Sequence, residues 1–461
     1  MTLSRTFGPL HQQRVSKGAI ALFNNLGIYH FCIAFVVIDF LDVLDLLDTI
    51  GLNYVIKYGY TAVVLGFMAV YLLRWRTVDA TTAPIIFLVF FVVTGVSFAV
   101  RFFIYDERLS YISAFLSPLV FSLAIFIPPN TVMIDVRRIV RVLTFLFSVG
   151  SVFYLIEAII KPFNIVRSLT PLGEVQIHKS LICVLALCLC ILSGRKTLGL
   201  FVAVVTAIAL SLRPVSTLVL ALACCLPIAI ALRSRVSGPR PVSVLTARVL
   251  AFATLLVAIS IPLLLYWFFD DVGSIISSSE SYLKSDVIGG QSNMEFRLTI
   301  LKYAYTMIDK TSFLYGSALS GNQTVPLAML PGWGWWGAVK GISDASIHSD
   351  FVVVLVLMGI LGYTVFSIAF YLVLKDRFRE LGRRDLLGDG VVLQAISIIG
   401  VVALIVYCSD QPYLSYYNHA HSVWMLLLIS EVARKSKIIG KAQGVGQMIV
   451  PAGPRLAGLR R

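Results

Sequence analysis

Apolar runs of about 20 residues recur along the whole chain, separated by shorter polar segments. A helix rises 1.5 Å per residue, so a run of about 20 residues crosses roughly 30 Å of hydrocarbon. The pattern predicts an all-α polytopic membrane protein with about twelve transmembrane helices. The predicted spans are about 20–41, 54–73, 83–104, 110–128, 140–160, 179–193, 197–212, 214–232, 249–269, 350–374, 390–409 and 419–433.

Composition agrees with this class. The chain is 58% hydrophobic and 13% charged, whereas soluble domains are about 45–50% apolar and about 25% charged. The seven cysteines lie in or beside apolar runs without a CxxC pair, so we expect small hydrophobes rather than disulfides or a metal site. The polar N-terminus lacks a small-residue cleavage site after a short apolar core, so no cleaved signal peptide is expected.

The basic residues predict topology. The formal net charge is +14, but the charges are spread along the chain rather than gathered in one domain, so nucleic acid is not an expected partner. With the N-terminus in the cytoplasm, alternate segments hold 26 of the 38 lysines and arginines. Cytoplasmic segments carry such an excess, so both termini are predicted to be cytoplasmic, including a basic tail at 434–461 that contacts membrane lipids.

One long hydrophilic segment, 270–347, is predicted to lie outside the membrane. It separates nine spans in 1–269 from the last three in 348–433, and it contains the helical-looking FRLTILKYAYTMI and the Gly/Trp-rich LPGWGWWGAVKGISD. Loops of this length are uncommon and usually functional. We therefore predict that the segment forms short helices and covers an active site as a lid.

Three polar residues on the predicted outer side are candidates for chemistry. Arg213 lies between two apolar runs in ALSLRPVSTLVLALA; it keeps its proton, so it either binds an anion in a cavity or extends to the interface. Arg297 opens the helical segment of the loop and by itself fits an ordinary solvated residue. His348 lies where span 10 begins, as an interfacial residue or as a group that takes a proton near neutral pH.

These features, taken in order, resemble the O-antigen polymerase and O-antigen ligase superfamily. The similar parts are an arginine after LS in ALSLRP, an arginine opening the loop helix followed by FLYGSALSG, and IHSDFVVVLVLMGILGY. Members usually have a histidine-containing H-x-x-[FYL] start of the helix and a G-[IL]-[IL]-G turn within it, which here is Gly359-Ile360-Leu361-Gly362. The specific part covers about 205–370, and the remainder is similar only as a many-span scaffold.

The resemblance implies sugar transfer at the outer leaflet of the bacterial cytoplasmic (inner) membrane. The donor would be an undecaprenyl-diphosphate-linked glycan, with no cofactor, metal or nucleotide sugar, and a chain-length regulator would be a further partner. Arg213 and Arg297 would stabilise the leaving diphosphate, and His348 would be the catalytic base. Asp350 would orient the imidazole, but residues i and i+2 do not face each other on a helix, so Asp344 and Glu295 are also supporting candidates.

The sequence distinguishes a polymerase from a ligase only weakly. Many ligase relatives carry Glu before the G-I-L-G turn, where this chain has VLVLMG, and HSDF followed by an apolar helix looks more like the polymerases. A flippase or secondary transporter would suit twelve spans, but the two halves show no paired interrupted helices. A structural or assembly protein would leave the arginines unexplained.

Overall fold

The computed structural model describes residues 83–90, 92–93, 119–122, 125, 133–134, 136–160, 177–212, 215–237, 241–280, 287–288, 291–292, 300–301, 304–305, 313–314, 324–326, 344–346, 349–383, 386, 388–410, 421–435 and 437–438. Nearly all of this part is helical. The helices are α1 (83–90), α2 (Leu119–Ser122), α3 (Val136–Ile160), α4 (Ile177–Ser193), α5 (Lys196–Leu212), α6 (Ser216–Ser237), α7 (Pro241–Glu280), α8 (Asp350–Leu381), α9 (Asp389–Asp410) and α10 (His421–Lys435).

Short strands form in several of the described segments between the helices and pair two by two. The strands are β1 (Met133–Ile134), β2 (Val287–Ile288), β3 (Gln291–Ser292), β4 (Thr324–Pro326), β5 (Asp344–Ser346) and β6 (Lys437–Ile438). β1 pairs in parallel with β6, while β2 pairs with β3 and β4 with β5 in antiparallel fashion. The parallel pair joins the segment before α3 to the segment after α10.

The helices α3 to α10 lie where eight of the spans were predicted. Within the described residues, five are long and apolar enough to cross a membrane: Val136–Ile156, Ser216–Val236, Val242–Phe268, Asp350–Leu381 and Asp389–Ser409. Two shorter apolar helices, Ser180–Ser193 and Lys196–Leu212, lie between them. The chain is therefore a helical membrane protein. The first two predicted spans lie outside the described residues, and the total of twelve stays a prediction.

Helix α9 forms the centre of the bundle. Residues 391–408 of α9 are all buried, and α9 packs against α4, α6, α8 and α10. In contrast, α5 and α7 leave large apolar side chains exposed, among them Leu200, Leu256 and Trp267. Such side chains can face lipid tails, which are as apolar as leucine, so their exposure carries no penalty in a membrane.

The helix ends fall into two groups at opposite ends of the bundle. Arg233 of α6 donates a hydrogen bond to the carbonyl of Leu192 at the end of α4. Arg235 donates to the carbonyls of Arg383, at 2.9 Å, and Leu386, at 3.4 Å, between α8 and α9. We call this end of the bundle the basic end. The opposite end, where α8 begins and α9 finishes, is called the site end.

The described basic side chains are unevenly distributed between the two ends. Of the sixteen lysine and arginine residues in the described part, fifteen lie within about two helical turns of the basic end, namely Arg137, Arg138, Arg141, Arg195, Lys196, Arg233, Arg235, Arg248, Lys375, Arg377, Arg379, Arg383, Arg434, Lys435 and Lys437. Lys179, in the first turn of α4, lies at the opposite end. This is the asymmetry that the positive-inside rule describes. The side of the membrane on which the basic end lies stays a prediction.

A buried ionic group ties α8, α9 and α10 together near the basic end. The guanidinium of Arg377 donates to Gln394 Oε1 at 3.3 Å, to Ser430 Oγ at 2.8 Å and to Glu431 Oε2. The second oxygen of Glu431 accepts from Arg434 Nε at 2.9 Å and Nη2 at 2.7 Å. Arg377 and Glu431 are fully buried, so each charge depends on the other for compensation.

Candidate functional site

The site end is organised by the first turn of α8. Ser349 is the N-cap of this helix, with extended backbone at φ −176° and ψ 125°. Its Oγ accepts a hydrogen bond from the Val352 N–H at 3.4 Å and donates to the Cys408 carbonyl at 3.3 Å. One hydroxyl therefore caps α8 and joins it to the last turn of α9.

Asp350 follows the cap and is buried against α9. The Cys408 thiol donates a hydrogen bond to its carboxylate. The carboxylate also lies at the positive end of the α8 dipole, which favours a negative charge. An ionisable residue buried at the end of a membrane helix is a functional candidate by default. We call Ser349, Asp350 and Cys408 the Asp350 cluster.

A second polar contact lies on the neighbouring residue of α9. The hydroxyls of Ser180 on α4 and Tyr407 on α9 are 2.5 Å apart, and both residues are buried. Tyr407 precedes Cys408 of the Asp350 cluster. Polar contacts from α4, α8 and α9 thus meet at the site end of the central helix.

Replacement of Ser349 by alanine should destabilise the protein by about 0.5–2 kcal/mol, because both the helix cap and the link to Cys408 are lost. Ser211→Ala is the matched control. In the described part, the exposed Ser211 hydroxyl bonds only the Ala207 carbonyl within α5, so this change should stay within about 0.5 kcal/mol. Thermal unfolding of the three proteins in the same detergent measures the difference. Equal midpoints for both variants would refute the structural role of Ser349.

Helix α8 is interrupted at the first glycine of the G-I-L-G turn. Gly359 has φ +62° and ψ −168°, a conformation that is essentially restricted to glycine, and it divides α8 into two helical halves. At Gly362 an added Cβ would lie 2.2 Å from the Cβ of Met358, so this glycine permits close packing across the break. The turn therefore marks a real interruption of the helix.

A segment of the loop fills the interruption. The Ile360 N–H donates to the Phe313 carbonyl at 2.9 Å, and the Leu361 N–H donates to the Leu314 carbonyl at 3.4 Å. The first amides of a helix have no acceptors within the helix. The loop therefore supplies carbonyl acceptors for two of these amides at the start of the second half of α8.

Aromatic side chains connect the same segment to α7. The rings of Phe313 and Tyr266 stack with centroids 5.3 Å apart and an interplanar angle of 23°, and Trp267 contacts Phe313 edge-on at 6.3 Å. Helical geometry is lost at Phe268, one residue further along α7. The loop segment thus lies between an irregular point in α7 and the break in α8.

Two tyrosines satisfy carbonyls near Pro262 inside α7. The Tyr305 hydroxyl donates to the Pro262 carbonyl at 2.9 Å, and the Tyr363 hydroxyl donates to the Ile259 carbonyl at 2.5 Å. Burial raises the pKa of Tyr305, so its hydroxyl stays protonated and able to donate. Residues 300–301 and 304–305 are helical, within the loop segment that the sequence predicts to be helical, and Ile300 and Tyr305 are buried.

The predicted site residues are only partly within the described residues. His348, Arg213, Arg297 and Glu295 lie outside them. Asp350 is buried in the first turn of α8. Its predicted contact with the His348 imidazole stays a prediction, because His348 is not among the described residues.

Asp344 lies in β5, where its backbone pairs with Pro326 of β4. The pairing brings residues that precede the Gly/Trp-rich segment close to its last residue, shortly before α8 begins. Sequence reasoning missed Cys408 and the Ser180–Tyr407 pair, because they lie in apolar runs whose rotation about the helix axis the pattern does not define.

The described fold defines a helical membrane protein with a buried central helix and a polar site end. Comparison with known proteins gives no match to a protein-family model and none to a curated protein. Among the described residues, no group of three His, Cys, Asp or Glu side chains is placed to hold a metal ion. The function is therefore argued from the residues and from the sequence resemblance.

Proposed function

We propose that the protein is a glycosyltransferase that polymerises undecaprenyl-diphosphate-linked oligosaccharide repeat units into O-antigen or exopolysaccharide. The reaction would take place at the outer leaflet of the bacterial cytoplasmic membrane. The observation that carries the proposal is the pairing of Phe313 and Leu314 with Ile360 and Leu361. It joins FLYG of the loop to the G-I-L-G turn, two features of the resemblance that are distant along the chain.

The proposed orientation follows from the distribution of charge. Basic side chains are concentrated at one end of the bundle, which we assign to the cytoplasm together with both termini. The Asp350 cluster then lies on the outer side. A lipid-linked donor reaches such a site from the bilayer, and its sugar chain remains in water.

The proposed reaction moves one glycosidic bond. An acceptor hydroxyl attacks the anomeric carbon of the donor sugar, and the bond from that carbon to the phosphate oxygen breaks. The electron pair leaves with undecaprenyl diphosphate, where Arg213 and Arg297 would offset the developing charge. The proton of the acceptor hydroxyl passes to His348 as the base.

The Asp350 cluster has a positioning role in this proposal. His348 directly precedes the cap of α8, so any shift of the first turn would move it. Ser349 and Asp350 hold that turn against Cys408 through a hydroxyl and a carboxylate. Direct contact of Asp350 with the imidazole is not required, and Asp344 and Glu295 remain the alternative orienting groups.

Two other functions share parts of the evidence. An O-antigen ligase would use the same donor and the same groups, with lipid A-core as the acceptor. A flippase is favoured by the break in α8, because interrupted helices are typical of transporter sites. Against a flippase, two amides at this break are bonded to loop carbonyls, and the two interruptions in the described part both lie in the second half of the chain.

Purified protein in liposomes with undecaprenyl-diphosphate-linked oligosaccharide should yield a ladder of longer glycans without any added acceptor. Gel electrophoresis of the products, with and without lipid A-core, measures this, and protein-free liposomes serve as the control. Product formed only with lipid A-core would replace the polymerase by a ligase. Movement of the lipid across the bilayer without any new product would replace both by a flippase.

A further inference from the structure

The loop segment Phe313–Leu314 contacts both interrupted helices through different groups. Its two carbonyls accept the amides of Ile360 and Leu361 at the break in α8. The Phe313 ring packs on Tyr266 near the irregular point of α7. A single short segment therefore touches α7 with a side chain and α8 with its backbone.

The break and the segment depend on each other. An amide without a partner is costly at membrane depth, since no water is present to replace the lost bond. The second half of α8 can begin at Ile360 because two carbonyls are held in place to accept its first amides. These carbonyls are in turn held by the stacked ring of Phe313.

Neighbouring contacts hold the same region. Tyr305, eight residues before Phe313, bonds the Pro262 carbonyl and is buried. Tyr363, three residues after Ile360, bonds the Ile259 carbonyl. The loop and α8 are thus both bound to one stretch of α7, and the contact with Phe313 closes this arrangement.

We propose that Phe313–Leu314 is an anchor that fixes the outer loop to the membrane helices at the break in α8. We further propose that the anchor positions the proposed active site, because the loop carries Arg297 before the anchor and leads to His348 after it. This second part rests on the proposed function. Phe313 and Gly359 are then positioning residues, which act through other groups.

Ile360→Pro removes one donor from the anchor. Proline lacks the N–H but suits the first position of a helix, and the extended ψ of Gly359 suits a residue before proline. Ile360→Val is the matched control, since it keeps the N–H. Hydrogen–deuterium exchange of the full-length protein in lipid nanodiscs should be about tenfold faster for peptides covering 300–314 in Ile360→Pro, and unchanged in Ile360→Val. Equal exchange in both variants would overturn the anchor.

A pair of glycine substitutions gives an independent test if Ile360→Pro does not fold. Gly359 and Gly388 both have positive φ, at +62° and +54°, so alanine strains the backbone at either position. Gly388 lies at the basic end, and a Cβ there meets nothing within 4 Å. Gly359→Ala should accelerate exchange in 300–314, whereas Gly388→Ala should not. The same acceleration in both variants would assign the effect to general destabilisation and overturn the anchor.

The positioning role is measured separately from the anchor itself. Exchange needs no substrate, so it tests the anchor even if the wild-type protein forms no glycan ladder, an outcome that refutes the proposed function alone. With an active wild-type protein, Ile360→Pro should lower polymerisation about tenfold, in step with the exchange, and Ile360→Val should not. Faster exchange with undiminished polymerisation would overturn the positioning role.

Discussion

Replacement of His348 by alanine is expected to lower the rate of glycan polymerisation by about a hundredfold or more. General-base catalysis contributes typically 10²–10⁴-fold, and no other histidine is predicted at the start of α8. Initial rates in liposomes containing the undecaprenyl-diphosphate-linked donor provide the measurement. The acceptor hydroxyl would have to lose its proton to water in the variant, which explains a loss of rate with an intact fold.

His421→Ala is the matched control for this result. His421 is the first residue of α10, so it also begins a helix at the site end, but the proposal gives it no role. The control should keep the wild-type rate, and both variants should elute as the wild-type protein in size-exclusion chromatography. Undiminished turnover in His348→Ala would remove the histidine from the reaction. Arg213→Ala and Arg297→Ala would then test whether diphosphate stabilisation survives as the source of catalysis.

Glu431→Gln is expected to destabilise the protein by about 3–5 kcal/mol, since removing one partner leaves a buried charge uncompensated. Arg377 is fully buried, and its Nε has no hydrogen-bond partner among the described residues. Arg377 lies on α8 and Glu431 on α10, so the change also loosens α8 from α10. The midpoint of thermal unfolding in detergent, followed by loss of the monodisperse elution peak, measures the effect.

Glu380→Gln provides a matched control with the same chemical change. Glu380 pairs with Arg383 at 3.1 Å, but the arginine side chain is 48% exposed and water screens the pair. Surface pairs of this kind contribute about 0–1 kcal/mol, so the midpoint should hardly move. A double replacement, Arg377→Met with Glu431→Leu, should be more stable than Glu431→Gln because the fully buried arginine is removed together with its carboxylate partner. Similar midpoints for Glu431→Gln and Glu380→Gln would contradict the role of the buried pair.

The positions of the helices could be predicted from the apolar runs. The predicted span at 390–409 corresponds to α9, which covers Asp389–Asp410. Errors occur where polar residues belong to a helix. The span predicted at 350–374 is too short at its end. Helix α8 continues to Leu381, because Arg377 has buried partners on α9 and α10. The span predicted at 249–269 starts too late. Helix α7 begins at Pro241, a residue whose fixed φ favours the first position of a helix.

The site was predicted less completely than the helices. Asp350 and the G-I-L-G turn were singled out from the sequence, and the described structure buries Asp350 and interrupts α8 at Gly359. The partners of these residues were not foreseen. Cys408 lies in an apolar run with no signal of a polar contact. Phe313 is part of the FLYG stretch of the resemblance, but nothing in the sequence indicates that it contacts α7 and α8. Which residues meet depends on how helices rotate and pack, and a single sequence does not contain that information in its local pattern.

The apolar runs and the distribution of charge are enough to predict a helical membrane protein whose basic residues lie in alternate connections. Both follow from transfer of side chains between water and hydrocarbon, which acts on each segment separately. Three contacts become visible in the folded chain alone: Glu431 compensates Arg377, Cys408 bonds Asp350, and a loop segment supplies carbonyls to the amides that follow Gly359. These contacts join segments that are distant along the chain, and they form because polar groups buried in the bundle must find partners there.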